Sequence, residues 1–231
     1  MTIPSKQINL AAGEMFLVRK PQGWTSFDVV ARLRTILHIE KIGHAGSLDP
    51  LATGLMIVCT GRMTKEIDRF MGLEKEYVAT IRLGGRTPSF DSETPVTETL
   101  SIDGITADAV VSVLSQFLGP QIQIPPMWSA LKVGGKPLYK YARKGRVVDR
   151  KPREVMIHSI TPKQICIPDV TFTVVCSKGT YIRTLADDVG RRLGCGAYLT
   201  GLERTRIGDF RLEDSFSLED LGQFMRSLRN V

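Results

Sequence analysis

One carboxylate stands in a segment that otherwise serves to shape backbone. The stretch Lys41-Ile-Gly-His-Ala-Gly-Ser-Leu-Asp-Pro-Leu-Ala-Thr-Gly54 carries Asp49 among three glycines, and Pro50 fixes φ directly after the acid. No clean period of 2 or 3.6 runs through it, so it reads as a loop. The apolar run Leu55-Met-Ile-Val-Cys59 follows, bounded by Thr60-Gly61, and reads as a buried strand. A lone acid on a tightly turned loop that feeds a core strand suits a fixed catalytic carboxylate. An Asp-Pro turn in which Asp49 caps its own backbone also satisfies the local physics, and is the commoner use of aspartate.

A second group of residues offers binding. Between Gln121 and Arg153 stand Lys132, Lys136, Lys140, Arg143, Lys144, Arg146, Arg150 and Lys151, interleaved with Trp128, Tyr139 and Tyr141. Cations hold phosphates and rings stack on unpaired bases, so the mixture fits an RNA-contacting arm. A solvated cationic loop and helix would account for the charges alone. Arg183 falls in the first turn of a predicted helix, where the helix dipole disfavours a cation, so it needs an anionic partner or solvent. His38 and His158 have no motif around them.

The elements that must position these residues can be read from periodicity. Met15 to Val18 predicts a short strand, after a first dozen polar or small residues expected to lack order. Thr25 with Asp28 reads as a capping box for an amphipathic helix over 26–37. Trp24 before it reads as a packing anchor more than as a stacking platform. A short helix is expected over 64–70, and Tyr77 to Gly84 alternates as a strand, followed by a turn-rich loop over 85–95. Thr106 caps a second helix that Gly119-Pro120 should end. Strands are expected over 155–160 and 170–176, then a helix from a Thr180 cap to Leu193. Residues 197–208 read as two short strands around a turn, and Ser217 caps a closing helix. This irregular alternation, with no glycine-rich βα turn, predicts an α+β fold around a mixed, mostly antiparallel central sheet flanked by helices and loops.

Bulk properties narrow the classes. The 231 residues allow one large domain or two small ones, with 42% hydrophobic and 24% charged residues. Lys+Arg number 31 against 24 Asp+Glu, a net +7, which suits a polyanionic partner. No apolar run approaches the roughly 20 residues of a membrane helix, and the N-terminus lacks a signal-peptide core. Cys59, Cys166, Cys176 and Cys195 show no CxxC pairing, which points to reduced thiols in a cytoplasmic protein rather than a zinc site.

Several blocks of the chain resemble one family. Gly43 to Gly54 resembles the active-site loop of the TruB family of tRNA pseudouridine synthases, with Ala45 and Ser47 where threonines are expected. Lys20 to Ser26 is similar to the family's opening signature, and Lys75-Glu-Tyr77 with Leu83 to Asp91 to its tyrosine motif. Pro125 to Lys132, continuing through Gly135 to Arg143, resembles its RNA-gripping insertion, with Trp128 for a smaller aromatic. Cys176 to Gly190 and Ala197 to Gly208 resemble two further signatures, with Gly201 where alanine is expected. The matches run in consistent order over roughly residues 15–217.

The resemblance implies a pseudouridine synthase fold and a tRNA pseudouridine(55) synthase, an isomerase acting on the TΨC stem-loop of tRNA. It implies Asp49 as the catalytic residue, His44 filling the gap left by a flipped nucleotide, and Tyr77 against the target base. Arg183 would pair with Asp49, and Leu202 would line the base pocket. Lys20, Lys132, Lys136, Arg143 and Lys144 would contact RNA. No cofactor or metal is expected, nor a guide RNA or obligatory protein partner, and a monomer is expected. The expected organisation is one catalytic domain over 1–231 with a basic insertion at about 121–153 and no C-terminal PUA-type domain. Two other readings stay open: a non-catalytic RNA-binding or chaperone module on this scaffold, and a synthase for a different uridine.

Overall fold

The computed structural model describes residues 9, 10 and 12–229. Residues 1–8 and 11 of the N-terminal stretch expected to lack order lie outside it. The chain forms two compact units, one of the residues up to Tyr77 together with those from Glu203 on, the other of Val78–Leu202. Strands Lys75–Leu83 and Ala197–Ile207 contribute residues to both.

In the first unit the strand Thr53–Thr60 is central, and its residues from Gly54 on are buried. Met15–Lys20 pairs antiparallel along one edge, from Met15 against Cys59 to Lys20 against Gly54. Ile42–His44 pairs antiparallel with its last three residues, and Glu203 and Arg204 pair parallel with Thr53 and Gly54. A strand paired on both edges and covered on both faces has no reason to alternate, hence the unbroken apolar run. Leu55, Ile57 and Cys59 pack with Ala45, Phe70, Ile207 and Leu212. The helix Ser26–Leu37 starts as expected: Thr25 Oγ1 accepts from Asp28 N, and the Asp28 carboxylate accepts from Thr25 N. It buries Val29, Val30, Leu33 and Leu37 and packs against the helix Leu218–Arg229. That helix begins after Ser217, whose Oγ accepts from Asp220 N.

In the second unit, strand order runs from Ala197–Ile207 through Lys75–Leu83 and Asp169–Cys176 to Arg153–Cys166 and Gly119–Gln123. The last three are joined antiparallel. Helix Ala107–Ser115 packs on Arg153–Cys166 and on helix Ile182–Leu193. The fold is therefore α+β about a mixed sheet.

Three expectations are corrected here. The second helix ends at Ser115, and Gly119, at φ +86°, turns the chain into a strand rather than only closing the helix. Thr180 does not cap the helix Ile182–Leu193, because its Oγ1 donates to Ser177 O. Tyr181 takes the cap position, and its N–H donates to Gln123 Oε1 while Gln123 Nε2 donates to Tyr181 O. Residues 197–207 form one unbroken strand, and the turn comes only at Gly208, φ +53°, before Phe210–Arg211 folds back on Arg206 and Ile207. The basic stretch is also more ordered than a loop and helix. Lys132–Val133 and Lys136–Pro137 pair across Gly134-Gly135, both at positive φ as a two-residue hairpin turn demands. The helix Leu138–Ala142 follows.

Candidate active site

Asp49 sits, partly exposed, in the loop between the strands Ile42–His44 and Thr53–Thr60. Backbone donors and short side chains hold this loop at several points. Ala45 N donates to Ile57 O at 2.9 Å, and Ala52 N donates to Asp49 O at 3.0 Å, closing a turn around Pro50. Ser26, on the first turn of its helix, accepts from Leu48 N at 2.8 Å and donates from Oγ to Leu48 O at 3.2 Å. Gly23 N donates to Pro50 O at 2.9 Å. The residues before and after the acid are thus tied to the helix Ser26–Leu37 and its approach. The Asp-Pro turn is formed, and its backbone is held on both sides of the acid.

Lys20 is corrected by its burial. Expected to contact RNA, it is 0% exposed, and its ammonium donates to the carbonyls of Pro21, Trp24 and Pro50. It braces the backbone beneath the loop, which a solvent-facing phosphate contact would not allow. His44 opens the loop with its ring edge-on to Phe27, centroids 6.0 Å apart. Burial lowers its pKa below the ordinary histidine value and the Arg204 cation lowers it further, while the Gly46 backbone pulls the other way. Tyr77 is buried at 8% exposure on the strand Lys75–Leu83.

The second unit holds Arg183, Leu202 and the basic arm. Arg183, 2% exposed, meets the requirement for an anionic partner through Asp91, itself 0% exposed. Its Nη1 donates to Asp91 Oδ2 and to Ser89 O, both at 3.2 Å, and its Nη2 donates to Trp128 O at 2.9 Å. Asp91 Oδ1 accepts from Ser89 Oγ at 2.5 Å and from Glu93 N at 3.0 Å. Sequence reasoning gave Asp91 no role, although it closes the motif that begins at Leu83. Leu202 is partly buried at the end of this unit's share of its strand. Lys132, Lys136, Arg143 and Lys144 are exposed, with the Arg143 guanidinium 5.4 Å from the Tyr139 ring centroid.

Solved structures share this fold. A chain in a Cbf5–Nop10–Gar1 complex superposes with a TM-score of 0.75 and 31% identity, over 95% of this chain and 56% of that one. A chain in an H/ACA ribonucleoprotein bound to a substrate RNA containing 2'-deoxyuridine gives 0.72 and 28%, over 96% and 56%. This fold is that of the pseudouridine synthases. Residues 34–182 match the N-terminal domain of the TruB family of pseudouridylate synthases, and residues 183–230 match the C-terminal domain of tRNA pseudouridylate synthase B. The tRNA pseudouridine synthase B of Parabacteroides distasonis is 48% identical over 224 residues, 94% of this chain and 95% of that protein. That of Bacteroides fragilis is 50% identical over 212 residues, covering 89% and 91%. The chain belongs to the TruB family of pseudouridylate synthases, and is accordingly an isomerase.

Proposed function

We propose that the chain converts uridine 55 in the TΨC loop of tRNA to pseudouridine, with Asp49 as the catalytic carboxylate acting on a flipped-out nucleotide. The observation that carries this reading is a single aspartate on a braced turn, within a chain of this family whose 48%-identical relative is a tRNA pseudouridine synthase. The chemistry asks for little else. The N1–C1′ bond breaks, the uracil turns over, and a C5–C1′ bond forms, while C5 gives up a proton and N1 gains one. The sum is redox-neutral and consumes no water, so a carboxylate beside the sugar and base and a pocket that retains the uracil suffice.

A uridine stacked in a folded loop must first leave its stack. His44, with its depressed pKa, is neutral at physiological pH and fits the role of filling the gap. Tyr77, Arg183 and Leu202 take the roles their motifs imply, and water exclusion by the apolar residues keeps the rearrangement from becoming hydrolysis. The exposed cations Lys132, Lys136, Arg143 and Lys144 would hold the phosphate backbone. In this reading the protein works in the cytoplasm as a monomer, without a guide RNA. No helix among the described residues is long and apolar enough to cross a membrane.

The test is to map pseudouridine in an unmodified tRNA transcript after incubation with the protein. One new pseudouridine at position 55, lost when that uridine is replaced by cytidine, is the expected result. Modification elsewhere would move the assignment to another uridine. A folded protein that binds the tRNA and modifies nothing would leave the RNA-binding module as the better account.

A further inference from the structure

Arg204 is 1% exposed, and its guanidinium lies across the loop that carries Asp49. Nε donates to Leu55 O at 2.7 Å and Nη2 donates to Gly46 O at 3.1 Å. Gly46 and Leu55 flank the acid on either side, so one planar group ties the two ends of its loop together. The backbone adds to this tie. Arg204 pairs with Gly54, at φ +107°, and a Cβ at Gly54 would collide with the Arg204 main chain. Glycine is needed there for its dihedral and for the close approach.

Among the described residues, the hydrogen-bond partners of this buried cation are carbonyl oxygens, with no carboxylate in ion-pair range. Burying a guanidinium is costly, and an apolar side chain could fill the same space. What an apolar residue lacks is a rigid fork with two donors in fixed directions, a geometry lysine also lacks. The cation also acts on the site electrostatically, since it is one of the two causes that depress the proton affinity of His44.

We infer that Arg204 is a positioning residue for the reaction, clamping the Gly46 and Leu55 carbonyls so that Asp49 is held in its working geometry. The inference rests on Asp49 being the catalytic carboxylate. Misplacement of a reacting group by about 1 Å can cost about a hundredfold in rate, so a clamp acts on the chemical step rather than on RNA affinity.

The experiment compares wild type, Arg204→Gln and Arg204→Lys, using single-turnover tritium release from tRNA labelled at C5 of uridine, together with tRNA binding. Hydrogen exchange at the Ala45, Leu48 and Ala52 amides is measured alongside. Arg204→Gln is expected to slow release by about a hundredfold, and Arg204→Lys by about tenfold, with tRNA affinity within about twofold. Exchange at the three loop amides should quicken while that of Val170 to Cys176 stays unchanged. A folded variant with near-wild-type release overturns the proposal, as does a rate loss matched by an equal loss of affinity. If Arg204→Gln does not fold, Arg204→Lys decides. Asp49→Asn is run beside them: undiminished release there defeats the reading of Asp49, while unchanged loop exchange in the Arg204 variants defeats the clamp.

Discussion

The Asp49 loop and the Arg183–Asp91 cluster use charge in opposite ways. Around the loop the buried cations Lys20 and Arg204 donate to carbonyl oxygens, and the acid itself stays partly exposed. Around Arg183 cation and carboxylate are both sealed, and both Asp91 oxygens accept hydrogen bonds. In the first arrangement charge shapes the backbone around a partly exposed acid. In the second it joins the 85–95 loop, the Trp128 carbonyl and the start of a helix. Removing the sealed carboxylate should therefore cost more stability than removing one brace of the loop.

The largest effect expected on stability is at Asp91. Asp91→Ala leaves the buried Arg183 cation without this counter-ion and should cost about 3–5 kcal/mol in denaturant unfolding. A loss below about 1 kcal/mol would mean that the pair is not structural in the sense argued. Ser26→Ala comes next. It strips the Leu48 amide of its acceptor at a buried position, so a loss of about 1–2 kcal/mol is expected by thermal melt, with release slowed more than the melt alone explains. An unchanged rate would separate this serine from the positioning of Asp49.

The basic arm should show up in salt dependence instead. Arg143→Ala with Lys144→Ala, both exposed, should lower the slope of log affinity for tRNA against log salt by about 2, with the melting temperature unmoved. An unaltered slope would return these cations to plain surface charge.

The smallest effect belongs to Asp188. Burial raises its pKa to about 6, with the Asp187 charge adding to this and Arg191 and Arg192 opposing. Its folded form binds protons more tightly than the unfolded chain, so stability falls as pH rises from about 4 to about 6. Asp188→Asn should therefore raise the melting temperature modestly at pH 7, and the gain should fade below pH 4. A gain that persists at low pH would assign it to something other than titration.

Legibility in the sequence followed the range of the interactions. The helix Ser26–Leu37 appeared with both ends in place, because its cap and apolar stripe are local. The strand Thr53–Thr60 was legible as the unbroken apolar run 55–59, whereas the strand Ile42–His44 was not, because it lies in a stretch without alternation that read wholly as loop and forms only by pairing with residues 58–60. Gln123 as the anchor of Tyr181 was not legible, because its partner lies 58 residues away. Lys20 reads as one more surface cation until the chain folds over it, and nothing in its neighbours announces burial. Asp91 and Arg204 were hidden for the same reason: their partners come together only through tertiary contacts at 92 and 158 residues' separation.

The most direct measurement is tritium release from tRNA labelled at C5 of uridine, with wild type and with Asp49→Asn at matched folded concentrations. The account predicts release approaching one equivalent per tRNA for the wild type, and a rate at least about a thousandfold lower for the variant with binding retained. Equal release by both proteins would contradict it.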